Sequence, residues 1–276
     1  MAYVQNQQKY NIKKYLNIVV AILALFLFIG GNKLIALIII IIYVIYVNFA
    51  TIIYYIGSNK YKKNKIDEAY KYFEIAYKIK GSSMKVKLYY IYFLLLRGDL
   101  DEADKLLKEL LTKKITSNDE ISIKLNISIV MWKRNNIDGA VEILMELIEK
   151  YKTTVLYQNL GYFLILKGDY DIALEINLQA YEYNSTDAGI LDNLAMLYCM
   201  RGEYDKALII YEELMPLKPS FATAYYYYAI VLLNDNKTEE ALENLRQALK
   251  CNFTFLSTMS KEEIQAKITE IENKIK

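Results

Sequence analysis

The chain has 276 residues, enough for two ordinary globular domains or for one stack of repeated units. Apolar residues make up 54% and only 2 prolines and 10 glycines occur, which favours uninterrupted helix over sheet and turn. There is no histidine, so the commonest general base and the commonest metal ligand are both missing. Cys199 and Cys251 stand 52 residues apart with no CxxC pattern, which excludes a disulfide framework or a cysteine metal centre and fits free thiols in a reducing compartment. The net charge of +2 is unevenly spread: residues 1–66 hold eight lysines and no acid, leaving −6 for the rest.

A short basic tail, residues 1–15, leads into a hydrophobic region over 16–56. Its first run, Leu16 to Ile29, is uncharged, and Gly30-Gly31-Asn32-Lys33 supplies a turn. The second run, Leu34 to Ile56, is interrupted only by Asn48 and Thr51. At about 1.5 Å per residue it reaches about 34 Å, enough for a bilayer core of about 30 Å. The expectation is a helical hairpin through a membrane. A cleaved signal peptide would need a small-x-small site that Phe28-Ile-Gly-Gly31 does not provide, and a re-entrant first segment is the other alternative. Ile38 to Ile42 shows no polar face, which argues against a buried soluble helix.

Lysines flank the hairpin, with Lys9, Lys13 and Lys14 before it and Lys60, Lys62, Lys63 and Lys65 after it, while the turn holds only Lys33. The positive-inside rule places both termini, and everything beyond residue 56, in the cytoplasm. The same lysines would attract anionic lipid headgroups by about 1 kcal/mol each near the surface. A nucleic-acid partner is not expected for a body that is net acidic.

Beyond the hairpin a phrase of glycine or asparagine, turn, acid and alanine recurs. It begins at Asn64, Gly98, Asn136, Gly168, Gly202 and Asn236, and ends on Ala69, Ala103, Ala140, Ala173, Ala207 and Ala241. The alanines are 34, 37, 33, 34 and 34 residues apart, a period that signals a helical solenoid. Between successive alanines lie two amphipathic stretches, as in residues 155–167 and 171–181. Gly161, Ala173 and Ala180 permit close approach, and Leu160, Leu164 and Leu174 fill the remaining space. The 37-residue interval carries three extra residues, expected within 112–118, and Pro216 falls where it would shorten a second helix.

These residues resemble the tetratricopeptide repeat family. The likeness is closest in Tyr157-Gln-Asn-Leu-Gly161 with Gly168-Asp-Tyr-Asp171, Ala173 and Ala180. It is close again in Leu191-Asp-Asn-Leu-Ala195 with Tyr198, Gly202-Glu-Tyr-Asp205, Ala207, Tyr211 and Pro219, and Tyr225, Ala229, Ala241 and Ala248 continue it. It covers about residues 50–253, while Lys87 and Lys124 depart from the pattern in the earlier copies. The resemblance implies an all-α fold: a right-handed α-solenoid of about six helix pairs after the transmembrane hairpin. A capping helix closes it over 254–276, opened by the capping box Ser260-Lys-Glu-Glu263. The first repeat would begin near Ala50 and overlap the second hydrophobic run, so that helix either continues unbroken into the stack or stops near Asn48.

In such a stack first helices line a concave groove that receives a peptide or partner protein. The resemblance puts Asn126, Asn159 and Asn193 at one place in three successive first helices, where an amide suits a bound main chain because it both donates and accepts. Packing is the alternative role for these asparagines. Tyr92, Trp132, Tyr162 and Tyr227 would add aromatic surface to the same face. Gln158 and Asp192 stand where a carboxylate clamp would need lysines. No phosphate loop, HExxH or CxxC occurs, so neither catalysis nor a cofactor, metal or small-molecule substrate is expected. The reading is an adaptor, with a structural subunit of a membrane transport or envelope assembly as the alternative and an enzyme as a distant one. Asn48 would offer the structural subunit an interhelical hydrogen bond.

Overall fold

A computed structural model describes residues 17–63 and 65–275, and all regular structure among them is helical. The chain divides into two compact units, residues 1–90 and 91–276, with the boundary inside one helix.

In the first unit α1 (Asn17–Ile29) ends at Gly31, whose φ of 86° is open to glycine at no steric cost. There the Asn32 N–H returns to the Leu27 carbonyl, the six-residue closure of a Schellman turn. The chain then enters α2 (Lys33–Lys62). Ala24 of α1 and Ala36 of α2 are both buried, and the Tyr43 hydroxyl donates to Asn17, so the two helices pair through small residues. Among the described residues, α2 alone is long and apolar enough to cross a membrane.

Helix α2 does not stop near Asn48. It runs unbroken, and its far half buries Ala50, Tyr54 and Gly57 against α3 (Ile66–Lys78), as the first helix of the first pair. Asn48 donates to its own helix, to the Val44 carbonyl at 2.9 Å, so its amide hydrogen bond is local rather than interhelical.

The boundary helix is α4 (Met84–Arg97), and α5 (Leu100–Leu111) completes its pair. Four more pairs follow: α6 (Ser117–Lys133) with α7 (Ile137–Lys150), α8 (Thr154–Lys167) with α9 (Tyr170–Tyr183), α10 (Ala188–Met200) with α11 (Tyr204–Leu214), and α12 (Ala222–Asn234) with α13 (Thr238–Ala248). The six phrase-ending alanines are all fully buried, each in the fourth position of its second helix. Seven residues on, Ala76, Leu110, Leu147, Ala180, Leu214 and Ala248 are buried too, so a two-turn stripe of each second helix faces inward. In the five pairs from α4–α5 onward a left-handed residue ends the first helix: Gly98, Asn135, Gly168, Gly202 and Asn236, with φ between 57° and 89°, while Asn64 of the first pair lies outside the described residues.

The second of these corrects the sequence phrase. The left-handed residue there is Asn135, not Asn136, whose side chain instead caps α7 by accepting the Gly139 N–H at 3.1 Å. The extra residues of the long interval extend α6 by a turn at its start, where Thr116 and Asp119 form a reciprocal capping box, rather than lengthening a loop. Pro216 lies in the 3₁₀ turn Met215–Leu217, and α11 stops before it at Leu214.

Packing within the α8–α9 pair leaves room only for glycine at Gly161, where a Cβ would come within 2.2 Å of the buried Asn177 side chain. The last cluster joins Ala229, Leu232, Leu242 and Leu245 to Ile264, Ile268 and Ile271 of α14 (Lys261–Ile275). Ser260 and Glu263 cap α14 reciprocally, at 2.6 Å and 3.1 Å.

Candidate interaction groove

Counting back from the left-handed residues fixes the register of the groove candidates. Asn126, Asn159 and Asn193 each lie nine residues before Asn135, Gly168 and Gly202, and Tyr227 takes that place before Asn236. Tyr92 and Tyr162 lie six residues before theirs, and Trp132 lies three before Asn135.

The asparagines share a register and not an environment. Asn159 is half-buried, with its amide donating to the Val155 carbonyl at 2.8 Å. Asn126 is buried and donates likewise to Ser122, leaving its Oδ1 without a partner. Asn193 is also buried, and its amide reaches 2.8 Å across to the Gln158 carbonyl of α8, so it ties one first helix to the previous one.

Of the aromatic residues, Trp132, Tyr162 and Tyr227 pack against one hydrophobic cluster. The Trp132 ring meets Phe163 of α8 at 5.4 Å between centroids, and the Lys133 ammonium lies 4.0 Å from the Trp132 centroid. Burial lowers the Lys133 pKa below that of a free lysine. Tyr162 and Tyr227 are half-buried, and burial pushes both hydroxyls up to about 12. Tyr92 on α4 is exposed.

Sequence reasoning missed two features of this face. The first is the segment between α13 and α14, which carries no repeat pattern. Its Phe255 N–H donates to the Leu96 carbonyl at 3.1 Å, its Phe255 ring lies 5.1 Å from Lys133 Nζ, and Thr258 Oγ1 is 2.6 Å from the Tyr162 hydroxyl. Two phenylalanines in a non-helical stretch, Phe253 and Phe255, were the available signal.

The second is Asp192 of α10. It is buried; the Thr223 hydroxyl donates to one oxygen at 2.8 Å and the other has no partner. Burial outweighs that hydrogen bond and pushes its carboxyl up to about 7. The Tyr211 hydroxyl, also unpartnered and fully buried, is raised by burial and by the nearby Asp192 charge.

The flanking lysines divide. Lys60 and Lys65 both pair with Glu68, at 2.6 Å and 3.0 Å, while Lys62 and Lys63 are exposed. Lys9, Lys13 and Lys14 lie outside the described residues. Among the described residues no group of three or more His, Cys, Asp or Glu side chains is gathered as a metal site would require. A further periodic contact is ionic: Arg134, Lys167 and Arg201, at the ends of first helices, reach back to Asp101, Asp138 and Asp171 of the preceding pair. These exposed bridges select register more than they add stability.

Helix pairs of this period, closed by a left-handed turn and built on buried alanines, define a helical-repeat fold. Residues 188–217, the span of α10, α11 and the 3₁₀ turn, match the tetratricopeptide repeat family. A comparison with curated proteins gives no match. Among solved structures, a tetratricopeptide repeat protein from Parabacteroides merdae is similar over 92% of this chain and 98% of its own, with 14% identity and a TM-score of 0.62. PilF of Pseudomonas aeruginosa is similar over 79% and 97%, with 15% identity and a TM-score of 0.53. In the Cut9–Hcn1 hetero-tetramer of APC/C, a chain is similar over 79% of this one and 42% of its own, with 19% identity and a TM-score of 0.58. At these identities the likeness is one of fold.

Proposed function

We propose that this chain is a non-catalytic adaptor that holds a tetratricopeptide stack at a membrane and binds a protein or peptide partner on the groove lined by Asn126, Asn159, Trp132 and Tyr162. The observation that carries the reading is α2. One unbroken helix exposes Leu37, Ile38, Ile41, Ile42 and Val44 in its first half and packs against α3 in its second. A helix apolar all round is either buried by protein or covered by lipid, and this half is exposed. At about 1.5 Å per residue, 30 residues reach about 45 Å, long enough to span a bilayer core and still serve the first repeat. The lysines on either side of the hydrophobic region support a cytoplasmic side for the repeats by the positive-inside rule. Among the described lysines that follow the hydrophobic region, Lys62 and Lys63 are left for anionic headgroups, since Glu68 already pairs with Lys60 and Lys65.

The competing role is a structural subunit whose membrane helices assemble with other membrane proteins, and the exposed face of α2 favours it as well. Photo-crosslinking from position 159 in intact cells, in the full chain and in a chain lacking residues 1–49, separates the two. An adaptor gives the same captured partner from both. A structural subunit loses it with the hairpin, and no specific capture from either rejects the groove. Digestion of the repeats by protease added outside intact cells would reverse the orientation.

A further inference from the structure

The segment joining α13 to α14 is fixed at its two ends and lightly held in its middle. Cys251, Phe253 and Met259 pack on the last hydrophobic cluster, and Ser260 caps α14. Between them Thr254 to Ser257 closes a turn on itself: the Ser257 N–H donates to the Thr254 carbonyl at 3.0 Å and the Thr254 N–H to the Ser257 hydroxyl at 3.0 Å. That turn reaches back across the chain to three first helices. Its contacts there are the Phe255 N–H on the α4 carbonyl of Leu96, the Phe255 ring between Gly98 and the Lys133 ammonium, and Thr258 on the Tyr162 hydroxyl of α8. A Cβ on Gly98 would come within 2.9 Å of the Phe255 ring, so the ring sits directly on the α4 turn. Yet Phe255 remains 45% exposed and no residue of the turn is buried. An element that belonged to the core would bury its aromatic ring. This one makes the contacts of a ligand: one backbone hydrogen bond, one ring beside a cation, one hydroxyl pair.

The geometry points to residues 254–258 as a resident occupant of the groove, and to a partner peptide of the same chemistry, an aromatic residue followed three positions on by Ser or Thr, that displaces it. This rests on the groove reading above and names the ligand class for it. Lys133, whose ammonium also lies over the Trp132 ring, supplies a cation for the aromatic residue, and Tyr162 supplies the hydroxyl partner. The segment lowers the apparent affinity by the fraction of time it is seated, so it sets a threshold that a weakly matching peptide does not cross.

The test uses the full chain in detergent micelles and a labelled peptide of residues 252–259. The carrier variant is Phe255→Ala with Thr258→Val, two positions whose side chains are not buried, so the fold is expected to stand and circular dichroism checks it. Trp132 is the sole tryptophan and reports on the site directly. The expected result is peptide binding about tenfold tighter to the variant than to the parent, as when a site seated about nine-tenths of the time is freed. Acrylamide quenching of Trp132 should rise in the variant and fall when peptide is added. Thr258→Val alone, which removes one hydrogen bond, should give about a threefold gain. Equal affinity in parent and variant, or unchanged Trp132 quenching, overturns the proposal. Capture from position 159 in cells keeps the two readings apart. A stronger capture in the variant supports the displaced segment, an equal one rejects it and leaves the adaptor, and none in either rejects the groove itself.

Discussion

Helices α2 and α10 are close in composition and opposite in surroundings. Each is mostly apolar with few charges, α2 rich in isoleucine and tyrosine and α10 in leucine, alanine and methionine. In α10 every residue from Gly189 to Leu197 is buried, because α8, α9, α11 and α12 all pack around it. In α2 the first half buries Ala36 alone, on the side of α1, and exposes isoleucine and valine elsewhere. An apolar surface removed from water contributes about 25 cal/mol per Å², so α10 helps to hold its stack together while the outer half of α2 contributes nothing of the kind to the protein alone. Length separates the two in the sequence: 13 residues suit a core helix and 30 suit a membrane crossing.

The largest test of this contrast pairs Leu194→Ala in α10 with Ile40→Ala in α2, at 1% and 44% exposure. Leu194→Ala should cost about 3–5 kcal/mol through lost transfer energy and the cavity left behind. Ile40→Ala should leave unfolding of the repeats within about 0.5 kcal/mol of the parent in denaturant titrations. A comparable loss at Ile40 would mean that protein, and not lipid, covers that face.

A second test asks what α10 gives up for being buried all round. Asp192 carries a carboxyl raised to about 7 against an ordinary value near 4, so the folded state binds a proton more tightly than the unfolded one. Its cost is absent below the unfolded pKa, grows between about pH 4 and 7, and is full above that window. Asp192→Asn keeps a hydrogen-bonding acceptor for Thr223 and removes the charge. It should stabilise the chain at pH 8 by about 2–4 kcal/mol, do little at pH 4.5, and flatten the melting temperature against pH. Equal gains at both pH values would show that ionisation is not the source.

A third and smaller test locates where α2 changes character. Tyr54 is buried beside Phe73 and Tyr89, with centroids 5.6 Å and 4.8 Å away, while Tyr46, two turns earlier, is 69% exposed. Tyr54→Ala should cost about 2 kcal/mol and Tyr46→Ala close to nothing, read by hydrogen exchange of α3.

The repeat was legible because it is written in residues that have no substitute locally: alanine where two helices touch and glycine or asparagine where the backbone turns left-handed. The one register slip, Asn136 for Asn135, arose because two adjacent asparagines satisfy different needs, a left-handed φ and a helix cap. The groove was legible only in its positions. Asn126, Asn159 and Asn193 share a register, yet whether an amide faces a partner or a neighbouring carbonyl depends on how closely the next helix approaches, which no single repeat encodes. The segment over Lys133 and Tyr162 was illegible for a related reason, since contacts 96 and 159 residues apart leave no periodic trace.

The smallest expected effect returns to the end of α10. Gly202 closes the helix at φ 75°, with the Glu203 N–H on the Tyr198 carbonyl at 2.9 Å, and a Cβ there would meet nothing within 4 Å. Any penalty for Gly202→Ala is therefore conformational, about 1 kcal/mol for placing an ordinary side chain in the left-handed region. Asparagine tolerates that region better, and Asn135 and Asn236 occupy the same place at φ 62° and 57°. Gly202→Asn should thus cost less than half of Gly202→Ala, and Asn135→Gly should gain a few tenths of a kcal/mol. Equilibrium unfolding in urea resolves the order of the three. If alanine is tolerated at 202 as well as asparagine, the turn that ends α10 is set by the packing around that helix and not by the backbone preference of its last residue.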